Sequence, residues 1–384
     1  MINTMEKSNI AEDNPDSDPQ PSQDLSKEQV VALSSMEKVV ERIADIEPTA
    51  LPVIKLSLFN FFNSHKTFTQ EQLDQAINHA MRFSKMEKEC SKEGNILPTI
   101  GIEIEVSDEI LTRDRIRVLD ACGIPNEAES QTDAYAKPLW EMMAPPSYSS
   151  WTQGQYLQGL ADLGGIPIDP ATGRVPEDEM LSLHLNFGIP EEIRGSDVYN
   201  FANVVSLTNN LIGFAYASPE RIRGRKTYDA MHLKSDAKGT KKNKNESDND
   251  HGRVPLRVEL RLGEFRDMPT YRMLTEVQRI MAMLFSSLKS RRKGTVLTEP
   301  ERQLSVLFNQ FQQKVTDIIE PEVMKVGHPD YMKIFDQDKE LSASIIENTD
   351  IQPKARKLIY EYSHLIAKVL GEGDTGETES VEQI

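Results

Sequence analysis

Seven side chains with ligand chemistry recur at alternate positions of three short apolar stretches. They are Glu103 and Glu105 in IGIEIEV (100–106), His184 and Asn186 in LSLHLNF (181–187), and Arg257, Glu259 and Arg261 in LRVELRL (256–262). Carboxylates and imidazole bind divalent cations, and guanidinium matches the oxygens of phosphate. An alternation of period two is that of a strand, which sends an aliphatic row to one face and the ligating row to the other. Glu103 and Glu105 then project together, roughly 7 Å apart. Like charges on one face repel and Glu is disfavoured in strands, so the pair costs stability without a cation.

Singly, each stretch has a blander account. The glutamates could be solvated on a half-exposed strand, the histidine a hydrogen-bonded structural residue, and the Arg-Glu-Arg row a set of cross-strand ion pairs worth little at a surface. The recurrence of one face assignment with complementary chemistry favours a shared site. Glu141 joins them from PLWEMMAPP, where a carboxylate in an apolar run needs a partner. Asp133, just upstream in SQTDAYAKPLWE, is the candidate for a further acidic ligand.

These stretches need a sheet, and the flanking sequence supplies helices to cover it. Ser26 with Gln29 reads as a capping box ahead of Val30, Leu33, Met36, Val40 and Ile43, before Pro48 stops the run. Thr69 with Gln72 repeats the signal before Leu73, Ile77, Ala80 and Met81. Residues 26–92 therefore read as an N-terminal helical region. Residues 93–270 read as a sheet-bearing domain, interrupted by helices near 150–163 and 196–217, with Gly164 and Gly165 as a helix stop. Within it, Lys234 to Gly252 holds five Lys and four acids with almost nothing to bury, which predicts a mobile loop. After Pro269 helical spacing returns through Leu288, then over 298–320 and 353–370, a C-terminal helical subdomain spanning 271–370. Strands grouped between helices predict an α+β fold, not alternating βαβ units.

The order of these motifs resembles a family. An E-x-E strand (GIEIEV), a Glu leading into a small-Pro segment (LWEMMAPP), a His strand (LSLHLNFG), an Arg-rich segment (SPERIRGRKTYDA) and an E-x-R strand (RVELRLGEF) follow the sequence of elements in the glutamine synthetase-like carboxylate-amine ligases, especially the amidoligases. The resemblance covers about residues 96–270. It implies a curved antiparallel sheet with flanking helices around a site for ATP and two or three Mg²⁺ ions. ATP would phosphorylate a carboxylate, and an amine would displace the phosphate to form an amide or peptide-like bond.

Carried over by position, the resemblance gives Glu103, His184 and Glu259 to one metal and Glu105 with Glu141 to another. Arg261 would touch the γ-phosphate or the substrate carboxylate. Arg221, Arg223 and Arg225 become candidates for the nucleotide phosphates, Arg221 foremost and also in a catalytic role, with Arg257 a further cofactor contact. Many family members carry a second His two residues after the first, where this chain has Asn186. The alternative is a catalytically inactive relative acting as a binding or scaffold module, and a third option is a metal-dependent hydrolase that uses no nucleotide.

Composition narrows the partners. Of the net charge of −17, residues 1–25 contribute −5 (six acids against Lys7) and residues 371–384 another −5 (five acids, no base), leaving −7 on the body. Both ends read as disordered acidic tails. A moderately acidic body argues against nucleic acid and anionic lipid, whose binding needs clustered Lys and Arg. The expected partners are small-molecule or peptide carboxylates and amines, and the sequence is silent on oligomeric state. Cys90 and Cys122 show neither metal spacing nor a disulfide framework, and neither a leader-like segment nor a membrane-length apolar run is apparent, so the cytoplasm is the expected compartment. The other histidines, His65, His79, His232, His251, His328 and His364, lack paired zinc spacing. Patterns for a P-loop, a Rossmann turn or a nucleophile elbow are absent.

Overall fold

The computed structural model describes residues 25–92, 94–107, 109–128, 139–169, 171–172, 174–176, 182–193, 202–217, 219–224, 231–234, 257–264, 269–325 and 339–372. The expected acidic tails and the Lys-rich loop lie almost wholly outside them. The architecture is α+β. Three N-terminal helices, α1 (Lys27–Val40), α2 (Leu51–Ser64) and α3 (Gln70–Cys90), precede strand β1 (Ile100–Ser107). Both capping boxes form. Ser26 and Gln29 exchange side chain–backbone bonds of 2.9 and 3.1 Å, and Thr69 and Gln72 do so at 2.9 and 3.2 Å.

Then come α4 (Arg113–Cys122), β2 (Asn126–Ala128), β3 (Leu139–Met143), α5 (Ser150–Asp162), β4 (Ser182–Gly188), α6 (Ala202–Tyr216), α7 (Pro219–Gly224), β5 (Met231–Lys234) and β6 (Arg257–Glu264). The C-terminal part is helical: α8 (Tyr271–Arg291), α9 (Glu299–Lys325), α10 (Lys339–Asn348) and α11 (Ile351–Leu370). The glycine pair ends α5 as its position foretells. Gly164 takes φ +74°, and the amides of Gly164 and Gly165 donate 2.8 Å bonds to Ala161 O and Leu160 O, the reversed turn that a Cβ would strain. Helix α4 departs from the expected run of strands. Its Gly123 stop, at φ +77°, follows a short segment in which three arginines and two aspartates obscure the apolar positions Ile116, Leu119 and Cys122.

Six strands form one antiparallel sheet in the order β2-β3-β1-β4-β6-β5. Its aliphatic face holds Ile100, Ile102, Ile104 and Val106 of β1, Leu183, Leu185 and Phe187 of β4, and Val258 and Leu260 of β6, all fully or nearly fully buried. Burying each such side chain contributes about 1.5–3 kcal/mol, so this face fixes the register on which the opposite face depends. The core runs without a break from Phe59 and Phe83 of the N-terminal helices, through the sheet, to Met281, Phe308, Phe311 and Ile359 of the C-terminal ones. Among the described residues no helix is long and apolar enough to cross a membrane.

Two buried polar side chains pin the loop that follows β3. Gln278 on α8 donates to Pro98 O (2.7 Å) and Tyr148 O (2.9 Å). Glu87 on α3, fully buried, accepts from the Tyr148 amide (2.6 Å) and the Ser149 amide (3.0 Å). Burial pushes the Glu87 carboxyl above the ordinary glutamate range, against the pull of those two amides and of the Thr49 hydroxyl. An acid whose pKa is raised by folding gives stability that is complete below its unfolded pKa and is lost as pH rises through the folded value. Glu87→Gln therefore flattens that decline in a urea titration series. Glu87→Ala, which strands two amides, costs about 2–5 kcal/mol at neutral pH; an Ala variant as stable as wild type would refute the clamp.

Candidate metal centre

The backbone register collects the polar rows of β1, β3, β4 and β6 on one face. Residues directly opposite each other across an antiparallel pair project to the same side. Glu105 faces Glu141 on β3 and Ser182 on β4. Glu103 faces Met143 and His184, and His184 in turn faces Arg261. Gly101 faces Asn186, Asn186 faces Glu259, and Glu259 faces His232 on β5. A register shift between Leu183 and His184 re-aims β4 against β6 at the histidine itself.

The ligating side chains meet. His184 Nδ1 lies 3.4 Å from Glu103 Oε2 and 3.3 Å from Glu259 Oε1, and its Nε2 lies 3.6 Å from Glu105 Oε1. Ligand atoms of Glu103, Glu141 and His184 all fall within 4.8 Å of one another. Glu103, Glu141 and Glu259 are at most 3% exposed, His184 4% and Asn186 7%. This is not a solvated strand face. Distances of 3.3–3.6 Å from the imidazole nitrogens to three carboxylates are long for hydrogen bonds, yet they crowd three acids around one ring. The ligand atoms of Glu103, Glu141 and His184 are close enough together for one cation to reach all three.

Arg257 closes one side. Its Nη1 donates to Glu103 Oε1 at 3.2 Å, while Nε and Nη2 are buried without a hydrogen-bond partner. Asn186 Oδ1 is likewise a buried acceptor without a partner. Oxygen-rich donors around one imidazole fit a hard divalent cation, and the unused guanidinium N–H groups fit an anion beside it. The donor chemistry thus suits a metal and a phosphate together.

Of the expected site residues, Glu103, Glu105, Glu141, His184, Glu259 and Arg257 come together. Glu141 sits with Glu103 and His184, a grouping different from the division into two metal sets carried over from the family. Arg223 needs correction. Its guanidinium makes a bidentate pair with Glu347 (both 2.6 Å) and a third bond to Glu340 (3.1 Å) on α10, and those carboxylates push its pKa further up. The run Arg221, Arg223, Arg225 suggests one phosphate-binding row, but positions 221 and 223 fall on α7, where residues two apart are separated by about 200° around the axis. Arg261 holds its register place opposite His184 and Arg221 its place on α7, with their side chains outside the described residues, as are Asp133 and Arg225. His232, which the sequence leaves beside the Lys-rich loop, stands on β5 opposite Glu259. The four-residue alternation of MHLK is too short a signal to find it. The remaining described histidines serve locally: His65 and His364 each contact the carbonyl four residues earlier at 2.9 Å, and His79 packs on Phe83 and Trp151.

Comparisons with protein-family models, with curated proteins and with solved structures find no match for the chain.

Proposed function

We propose that the chain is an ATP- and Mg²⁺-dependent carboxylate-amine ligase. The observation that carries the reading is the convergence of Glu103, Glu105, Glu141, His184 and Glu259, from four strands, into one cluster of which all but Glu105 are buried. The order of the strands' motifs, the antiparallel sheet and Arg257 agree with it, and a glutamine synthetase-like curvature of the sheet and a cytoplasmic setting belong to the same reading. Glu103, Glu141 and His184 would hold a cation, with Glu105 and Glu259 beside them. Mg²⁺ bound there supplies charge neutralisation for the triphosphate.

The chain's own groups do the rest. Arg257, tethered through Nη1, presents Nε and Nη2 to phosphate oxygen. The buried setting keeps water from competing with an amine for an activated carboxylate. Isothermal calorimetry with ATP and Mg²⁺, and ADP release on adding panels of acids and amines, test the proposal. The expected results are nucleotide binding that requires Mg²⁺ and ADP release that requires both substrates. Absence of Mg²⁺-dependent nucleotide binding at millimolar concentration overturns it.

A further inference from the structure

Asn186 stands two residues from His184 on the same strand and in register between Gly101 and Glu259. Its Oδ1 is buried and accepts no hydrogen bond. Leaving an amide oxygen so costs the full desolvation of that oxygen, and an apolar side chain at that position would avoid the cost. The neighbours explain what the oxygen faces. On one side Gly101 presents no side chain and so offers the amide oxygen no polar partner; a Cβ built there would make only ordinary contact, 3.9 Å from Asn186 Cβ. On the other side stands the buried carboxylate of Glu259, whose Oε1 is 3.3 Å from His184 Nδ1. An acceptor set beside a carboxylate is not complemented by that carboxylate. A cation complements both.

We infer that Asn186 Oδ1 is a further ligand to the divalent cation of the Glu103–Glu141–His184 cluster, and that it biases the site toward hard, oxygen-preferring cations such as Mg²⁺ over Zn²⁺. Two residues apart on a strand, a His-x-His pair would place two imidazoles on one face next to carboxylates, the nitrogen-rich set that suits Zn²⁺. His184-x-Asn186 replaces one of those nitrogens with a hard carbonyl oxygen. Among the described side chains the set is then four carboxylates, one imidazole and one amide oxygen. The inference rests on the metal-centre half of the proposed function and not on its nucleotide chemistry.

The test uses the full-length chain stripped of metal, with Mg²⁺ alone and Zn²⁺ alone as probes, read by calorimetry and by thermal shift. Asn186→Leu is expected to weaken Mg²⁺ binding about tenfold or more while changing Zn²⁺ binding far less. Asn186→His is expected to move the Zn²⁺-to-Mg²⁺ preference about tenfold or more toward Zn²⁺. Asn186→Asp retains an oxygen donor and keeps Mg²⁺ binding at least at the wild-type level, so it carries the test if the Leu variant does not fold. Leu and His variants with the wild-type ratio of the two affinities, or an Asp variant that has lost Mg²⁺, overturn the inference. Wild-type Mg²⁺ binding without any ATP turnover would defeat the ligase reading and leave this one standing. ATP turnover with an unaltered metal preference in the variants would do the reverse. A wild-type chain that binds no Mg²⁺ defeats both.

Discussion

His184→Ala lowers the unfolding free energy by about 3–5 kcal/mol in metal-free buffer, the largest loss expected from a single change in the sheet. The ring sits among three carboxylates, with Glu103 and Glu259 near Nδ1 and Glu105 near Nε2, at 3.3–3.6 Å. Removing it deletes the polar group these acids share and leaves a hole that the paired strands cannot close. The cavity alone would cost a few kcal/mol, and exposing buried acids to one another adds to it. Urea denaturation of both proteins checks the value. A second signature separates this loss from simple packing. Mg²⁺ at a hundredfold excess over its Kd should stabilise the wild type by about 2.7 kcal/mol through preferential binding to the folded state, and the Ala variant by much less. A variant within about 0.5 kcal/mol of wild type, or one stabilised equally by Mg²⁺, would show that the ring is not the hub of the cluster.

The parts of the site readable in the sequence are those in which period two is unmixed with any other signal. IGIEIEV, LSLHLNF and LRVELRL each carry an aliphatic row strong enough to fix which side chains face the core and so which polar residues share the opposite face. Burial of the polar face was not legible, because a strand with glutamates every second residue looks the same whether water or protein covers it. The phosphate-binding role given to Arg223 fails for a related reason: the spacing in PERIRG makes a row only on an extended chain, and the segment is helical. His232 and Glu127 reach register positions opposite Glu259 and Glu141 from strands of four and three residues, too short to show an alternation. Helix α4 was hidden by its charges, and its clearest marker, Gly123, reads equally well as a turn. Local pattern located the ligands. The pairing of strands distant in sequence decided which of them meet.

If the chain is the ligase proposed above, Glu103→Gln lowers its Mg²⁺-dependent ADP release by about 10²–10³-fold while leaving the fold intact, the scale of loss seen when one preorganised charged contact is removed from a water-excluded site. Glu103 lies on central β1, paired on both sides by β3 and β4, and its two oxygens are already divided: Oε1 takes Arg257 Nη1 at 3.2 Å and Oε2 faces His184 Nδ1 at 3.4 Å. Gln keeps the volume and one acceptor, so packing against neighbouring strands is preserved. What it loses is the negative charge that pairs with Arg257 and, on the proposed reading, would hold a cation. A Gln N–H turned toward Arg257 also sets donor against donor, for about 1–3 kcal/mol of stability. Glu103→Asp separates charge from reach, since it retains the carboxylate but withdraws it by one methylene. If charge alone matters, Asp keeps most of the activity that Gln loses; if position governs, both fall together, because a ligand displaced by about an ångström can cost two orders of magnitude in rate. Wild-type ADP release from the Gln variant would remove Glu103 from the chemistry and leave the buried cluster to the scaffold alternative, in which the same acids organise the sheet without turning anything over.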